Sequence, residues 1–309
     1  MVTAIAGGVG AAKLLVGLCE IAGKGAVTAV VNTGDDCRLH GLHISPDLDT
    51  VTYWLAGLNN AELGWGIKDE TWRAMDELAA LGGDAWFRLG DRDLATHLLR
   101  TGELARGATL TEVTAKIREA RNLPANLLPM SNDPVETQVL AELAEGATTL
   151  AFQEYFVKHQ HQPRVLGLEF RGAAQATPAP GVLEAIGNSA RLVICPSNPL
   201  LSIGPVLALP AIEQAMRSRR DDVVAVSPIV GGRALKGPAA EVMEALGHEA
   251  TALGVARLLA PFAATLVVDE EDAELAQAIE AEGLRCIVTD TVMVDAAASR
   301  RLAEVVLGA

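Results

Sequence analysis

Aromatic residues are scarce in this chain: they make up 4% of 309 residues, although half of the residues are hydrophobic. The apolar mass is therefore Ala, Val, Leu and Ile, as expected where strands are covered by helices on both faces. At this length the chain can bury one large core, or one core carrying an inserted subdomain. Cysteine is sparse too. Cys19, Cys37, Cys195 and Cys286 stand far apart with no C-x-x-C pair, which argues against a disulfide framework and for a reduced, cytoplasmic setting. No uninterrupted apolar run reaches the ~18 residues of a membrane-crossing helix, so no membrane association is expected. Met1–Ala6 lacks a basic leader, so a signal peptide is not expected either. Basic residues are in deficit, 25 against 39 acidic, for a net charge of −14. That balance argues against polymeric nucleic acid, whose affinity comes largely from cationic contacts to phosphate. A single nucleotide remains open, because backbone N–H groups, one or two cations and a metal ion suffice for one diphosphate.

What is present reads as α/β. Val2–Ala6 is a buried strand broken by Gly7-Gly8-Val9-Gly10, Ala11–Ile21 has helical spacing, and Val27–Val31 is a second strand. This βαβ unit implies parallel strands with a right-handed crossover. Helical periodicity then dominates Glu70–Leu81, Leu94–Leu104 and Leu110–Ala120. Thr109 and Glu112 are placed to form a capping box for the last of these. Residues 56–125 are read as a helical insertion into a core of 1–55 and 126–309. Ala147–His159 and Arg164–Arg171 read as a hairpin joined around Gln160–Pro163. From Gly181 onward short strands (Leu192–Cys195, Val223–Val226, Thr265–Val268, Cys286–Val288) alternate with helices. The expected fold is a doubly wound, mostly parallel Rossmann-like sheet with a helical insertion and a β-hairpin.

In such sheets ligands sit at the carboxyl ends of the strands, and the polar residues gather there. The turn Gly7-Gly8-Val9-Gly10 precedes Lys13, one turn into the helix. Glycines allow close backbone approach to a phosphate, and the helix start offers free N–H groups and a positive dipole end. A tight packing turn would use the same glycines. Strand two runs into Asn32-Thr33-Gly34-Asp35-Asp36, and Ser45-Pro46-Asp47-Leu48-Asp49-Thr50 follows. Helix capping accounts for some of these four carboxylates; a Mg²⁺ site shared with substrate phosphates accounts for the same residues. Arg88-Leu89-Gly90-Asp91-Arg92-Asp93 opens an insertion helix, either as caps and surface ion pairs or with its arginines facing a ligand. Pro196-Ser197-Asn198-Pro199 and Ser202-Ile203-Gly204-Pro205 form a loop that resists helix and sheet alike. Cys37, His40 and His43 have a metal-like spacing but no local fourth ligand for zinc.

Taken together these segments resemble the 2-phospho-L-lactate transferase family of deazaflavin coenzyme (F-420) biosynthesis. The resemblance spans nearly the whole chain: Gly7-Gly8-x-Gly10-x-x-Lys13, Val31-Asn32-Thr33, Ile44–Thr50, Leu89–Asp93, Leu128–Pro134, Pro196–Pro199 and Val226–Ile229. It implies a donor of guanosine diphosphate linked to a three-carbon acid, an acceptor alcohol, the deazaflavin FO, release of GMP, and Mg²⁺ as cofactor. It implies further that Asp35 and Asp49 hold the metal and serve catalysis. Asp49, Arg88, Asp91, Arg92 and Ser131 would contact FO. The nucleotide would lie against Gly7, Gly8, Gly10, Lys13, Asn32, Thr33, Ser197, Asn198, Ser202 and Gly204. The partners expected are small molecules, and a homodimer is compatible with the family. Phospholactate, phosphoenolpyruvate and 3-phosphoglycerate are all compatible donor acids. Two rivals differ in class: a UDP-sugar-binding regulatory protein of the same fold, and an NAD-dependent dehydrogenase. Lys13 in place of a third glycine counts against the second.

Overall fold

The computed structural model describes all residues, 1–309. Seven strands form the central sheet, numbered in chain order: β1 (Val2–Ala6), β2 (Val27–Val31), β3 (Asn126–Pro129), β4 (Arg191–Ile194), β5 (Val223–Val226), β6 (Thr265–Val268) and β7 (Arg285–Val288). Their spatial order is β7-β6-β5-β4-β1-β2-β3, and every pair is parallel. Side chains alternate between two separate cores, as the period of two in a strand requires. Ile5, Val30, Leu128, Ile194, Ala225 and Leu266 point into one. Ala4, Ala29, Leu127, Val193, Val224 and Val267 point into the other. Burial on both faces explains why these strands read as unbroken apolar runs.

Helix α1 (Gly8–Ala22) starts earlier than its apolar spacing indicates, so Gly8 and Gly10 lie in its first turn. It packs against the C-terminal helix Ala296–Gly308 so closely that a Cβ on Gly17 would fall 2.2 Å from the Ser299 carbonyl oxygen. Helix α2 (Pro46–Leu55) lies beside α1 and sends Leu48 and Val51 into the same core.

The insertion contains α3 (Arg73–Ala80), α4 (Asp93–Ala105) and α5 (Leu110–Ala120). The segment is not uniform. Ile44, Met75 and Leu89 form a small core of their own, whereas α5 packs on β3 and buries Leu110 in the main core. The capping box is present: Thr109 Oγ1 accepts from the Glu112 amide at 3.3 Å, and Glu112 accepts from the Thr109 amide at 2.7 Å. Helices α3 and α4 cap each other across the loop between them. Asp91 accepts from the amides of Arg73 and Ala74, and Glu70 from those of Arg92 and Asp93.

The hairpin expectation needs correction. Gly146–Ala151 and Arg164–Arg171 do not pair with each other; both flank Glu136–Leu143 in a three-stranded antiparallel sheet. Glu154–Lys158 coils into a short helix. The Glu136–Leu143 strand has a weak signal in the sequence because its exposed face breaks the apolar run.

Candidate active site

The order of the sheet reverses between β1 and β4, and the crevice of a doubly wound sheet opens there. The loops after these two strands are locked together. Ser197 Oγ donates to the Gly7 carbonyl at 2.6 Å. A Cβ on Gly7 would meet Ser202 Cβ at 2.8 Å, and one on Gly10 would meet the Pro196 carbonyl oxygen at 2.0 Å. Gly10 therefore serves the close approach of α1 to the β4 loop. Asn198 shapes that loop by accepting from the amides of Leu200 and Leu201, both at 3.0 Å. Gly204 passes under the Phe170 ring. The structure thus brings Gly7, Gly8, Gly10, Ser197, Asn198, Ser202 and Gly204 to one place.

Asp47, from the first turn of α2, ties the glycine turn to strand β2. Its Oδ1 accepts from the Gly8 amide at 2.8 Å and its Oδ2 from Asn32 Nδ2 at 2.9 Å. Asn32 in turn accepts from the Gly34 amide at 2.7 Å. Thr33 is buried beside it. This buried chain spends the polar groups of Asn32 on building the site.

Asp35 is different. It is buried, and its Oδ1 has no hydrogen-bond partner. Burial pushes its carboxyl well above the usual carboxylate range, and the charge of Asp47 adds to the effect. Burial raises Asp47 too. An unpartnered buried carboxylate oxygen beside a second carboxylate is costly, and a divalent cation would relieve it. The donor set fits Mg²⁺ there. Asp36 adds a third carboxylate: its Oδ2 accepts from Ser45 Oγ at 2.6 Å and contacts His43 Nε2 at 3.0 Å, while its buried Oδ1, like that of Asp35, has no partner. Both partners partly offset the rise that burial imposes on it. His40 forms the turn between the short strands Cys37–Leu39 and Leu42–Ile44, in which Cys37 pairs with Ile44 and His43 with Arg38.

Asp49 is committed to a partner that sequence reasoning missed. Both its oxygens accept from Arg100 of α4, a fully buried guanidinium. His97, one turn earlier, lies 3.6 Å from Asp49 and 3.2 Å from Asp93. Tyr53 of α2 donates to Asp93. Burial and the charges of Asp49 and Asp93 push the Tyr53 hydroxyl well up. Burial alone would lower Arg100, but Asp49 more than reverses this. Asp49, Asp93 and His97 are spaced closely enough to hold a metal. The guanidinium already supplies the positive charge. Asp49 and Asp35 therefore sit in unlike surroundings, and of these two it is Asp35 that presents a free buried oxygen. Thr96, His97 and Arg100, polar residues at helical spacing on the buried face of α4, were the available signal for this network.

The remaining candidates have partners of their own. Arg88 is half-exposed, pairs with Asp76 at 2.8 Å and lies over the Trp72 ring at 5.0 Å. Trp72 in turn meets Trp65 edge-on. Arg92 donates to the Lys68 carbonyl at 2.9 Å, and Asp91 serves as the cap of α3. Ser131 is buried and donates to the Thr177 carbonyl at 2.6 Å. Lys13 donates to the Met293 carbonyl at 2.8 Å and lies 5.8 Å from the Trp54 ring centre.

Comparison with known proteins agrees with the geometry. The model of the 2-phospho-L-lactate transferase CofD family matches residues 2–307. The chain is 44% identical over 307 residues to a phosphoenolpyruvate transferase of Streptomyces griseus, covering 98% of this chain and 96% of that one. It is 40% identical over 304 residues to a 2-phospho-L-lactate transferase of Methanosarcina acetivorans, covering 98% and 97%. Its fold resembles the crystal structure of a UPF0052 family protein from Bacillus halodurans, with a TM-score of 0.61 at 17% identity over 99% of this chain and 98% of that one. With a reversal-point crevice, a glycine turn opening a helix and full-length similarity to both kinds of transferase, the chain belongs to the 2-phospho-L-lactate transferase family and is a transferase.

Proposed function

We propose that this transferase moves a phospho-three-carbon-acid group from a guanosine-diphosphate-linked donor to the ribityl hydroxyl of FO, releasing GMP, in the biosynthesis of coenzyme F-420. The observation that carries the reading is the buried, unpartnered Asp35 oxygen beside Asp47, one hydrogen bond from the start of α1. A carboxylate pair at the mouth of a phosphate-binding helix start is repulsive to a diphosphate without a metal ion between them, and useful with one.

In this reading Asp35, with Asp47 beside it, would hold Mg²⁺, which when bound would supply positive charge against the transferring phosphate. The free amides at the α1 start, Lys13 and the Asn198–Gly204 loop hold the diphosphate and orient it. Asp49 is kept rigid by Arg100, and accepts a hydrogen bond from the attacking hydroxyl. Arg88 and Trp72 already stack together, and they offer a flat surface to the FO ring. Protein groups need only position reactants and balance charge, because phosphoryl transfer requires no protein nucleophile.

The test is the mass of the product formed by the purified chain from FO and Mg²⁺ with phospholactyl, phosphoenolpyruvyl or phosphoglyceryl guanosine diphosphate. A phosphodiester of FO with release of GMP is expected from at least one donor. The product mass also identifies the preferred acid. Formation of no FO adduct from any of the three would overturn the proposal.

A further inference from the structure

Beyond the sheet, one segment reaches back over the α1 start from the opposite side of the crevice. Ile229–Val230 and Arg233–Ala234 form a two-stranded turn through Gly231 and Gly232, both with left-handed backbone. Its base is held firmly. Ser227 Oγ donates to the Ile229 carbonyl at 2.9 Å, and the buried Asp272 accepts from the Gly231 amide at 3.2 Å. Its far end, Leu235–Gly237, is exposed and contacts the loop between α2 and α3. There Lys236 Nζ donates to the Leu63 carbonyl at 3.3 Å. A Cβ built on Gly64 would lie 2.5 Å from Lys236 Nζ and 3.5 Å from Val9 Cγ2, so the ammonium group stands near the first turn of α1. Gly64 is fastened from below by Trp54 Nε1, 3.3 Å from its carbonyl oxygen. The same Trp54 ring lies under Lys13.

Two lysines on distant segments are thus gathered around one helix start, and both ammonium groups lean on carbonyl oxygens rather than on carboxylates. In a chain of net charge −14, carboxylates are the commoner neighbours. Like charges brought together beside a positive dipole end repel, and the carboxylate at this helix start, Asp47, is already engaged by the Gly8 amide and Asn32. Burial and the charge of Lys236 both lower the affinity of Lys13 for its proton, in keeping with a gap that an anion fills. The reach of a lysine stem allows Lys236 to leave the Leu63 carbonyl for a stronger acceptor.

We propose that Lys236 is a second cationic ligand of the donor's diphosphate, delivered by the Ile229–Gly237 arm and facing Lys13 across the start of α1. The inference rests on the donor reading given above. On binding, the ammonium group exchanges a neutral carbonyl for phosphate oxygens, and the arm with the Asn60–Gly66 loop covers the diphosphate.

The experiment measures GDP and guanosine binding by calorimetry in the presence of Mg²⁺, for the full chain and for Lys236→Ala and Lys236→Arg. Lys236 is exposed, so the variants are expected to melt with the parent. Lys236→Ala should bind GDP about tenfold to a hundredfold more weakly, the range of a hydrogen bond to a charged group, with guanosine binding unchanged. Lys236→Arg should retain most of the affinity, and the salt dependence of GDP binding should be shallower in Lys236→Ala than in the parent. GDP affinity equal in Lys236→Ala and the parent would overturn the role of Lys236 alone. Parallel loss of GDP and guanosine would make the arm a structural cover and overturn the charge contact. A parent that binds no GDP would overturn the donor reading and this inference with it.

Discussion

Asp35, in the loop after β2, and Asp49, in the first turn of α2, belong to one stretch of sequence, yet their surroundings give them different chemistry. Asp35 has a buried oxygen with no partner, while Asp49 has a guanidinium on both oxygens. Asp35→Asn keeps the size and removes the charge, so the metal-free protein should be equally or more stable. Turnover should fall by about a hundredfold or more, as when metal stabilisation of a transferring phosphate is lost. The Mg²⁺-induced rise in melting temperature should vanish. A parental Mg²⁺ response in that variant would move the metal elsewhere. Arg100 carries the opposite risk. Arg100→Leu strands the buried Asp49 carboxylate and should cost about 3–5 kcal/mol in chemical denaturation. Arg100→Lys should restore only part of this, since an ammonium cannot reproduce the two-pronged contact. Adding Asp49→Leu to Arg100→Leu should recover most of the loss; failure to do so would place the cost in packing rather than in the orphaned charge.

At the scale of elements, helix α3 depends on caps more than on burial. Helix α3 buries only Met75 along its length, so its amide ends rely on Asp91, and α4 relies on Glu70 in return. This exchange couples the two helices and holds His97 and Arg100 beside Asp49. The capping box on α5 is local, closed between Thr109 and Glu112, while the neighbouring Thr111 makes the contact to Asn132 of the loop after β3. Thr109→Ala should therefore lower stability by about 1 kcal/mol and leave turnover unchanged. A loss of activity at unchanged stability would show that α5 reports to the site. The three-stranded antiparallel sheet contributes differently: Phe170 covers Gly204 and so shields one side of the β4 loop.

For the whole molecule, the sheet supplies a rigid frame whose two cores are both closed, and the working groups are carried on loops at one edge. Such loops gain order from ligands. Mg²⁺ and GDP together should stabilise the chain by about 2.7 kcal/mol when GDP is at a hundred times its dissociation constant. The rise in melting temperature should be smaller with GDP and a chelator than with GDP and Mg²⁺. Equal shifts with and without the metal would separate nucleotide binding from the Asp35 site. In a chain at −14 overall, Lys13 and Lys236 are the cations that share the α1 start with the carboxylates of Asp35 and Asp47.

Much of this architecture was determined by the sequence itself. Both strands of the opening βαβ unit, the four strands after Gly181, the Thr109 capping box and the glycine turn follow from apolar periodicity and local turn chemistry, which act over a few residues. Tertiary structure decided the rest, because the interactions concerned join residues far apart in the chain. Pairing of Glu136–Leu143 between its two neighbours depends on a half-exposed strand with a weak local signal. Asp47 looks like a cap in sequence, yet its acceptors serve Gly8 and Asn32 across the crevice. Asp49 looks like a free carboxylate until α4 brings Arg100 to it over a separation of 51 residues. Lys236 carries no local motif at all; only folding brings its ammonium group to the carbonyl of Leu63, 173 residues away in the chain.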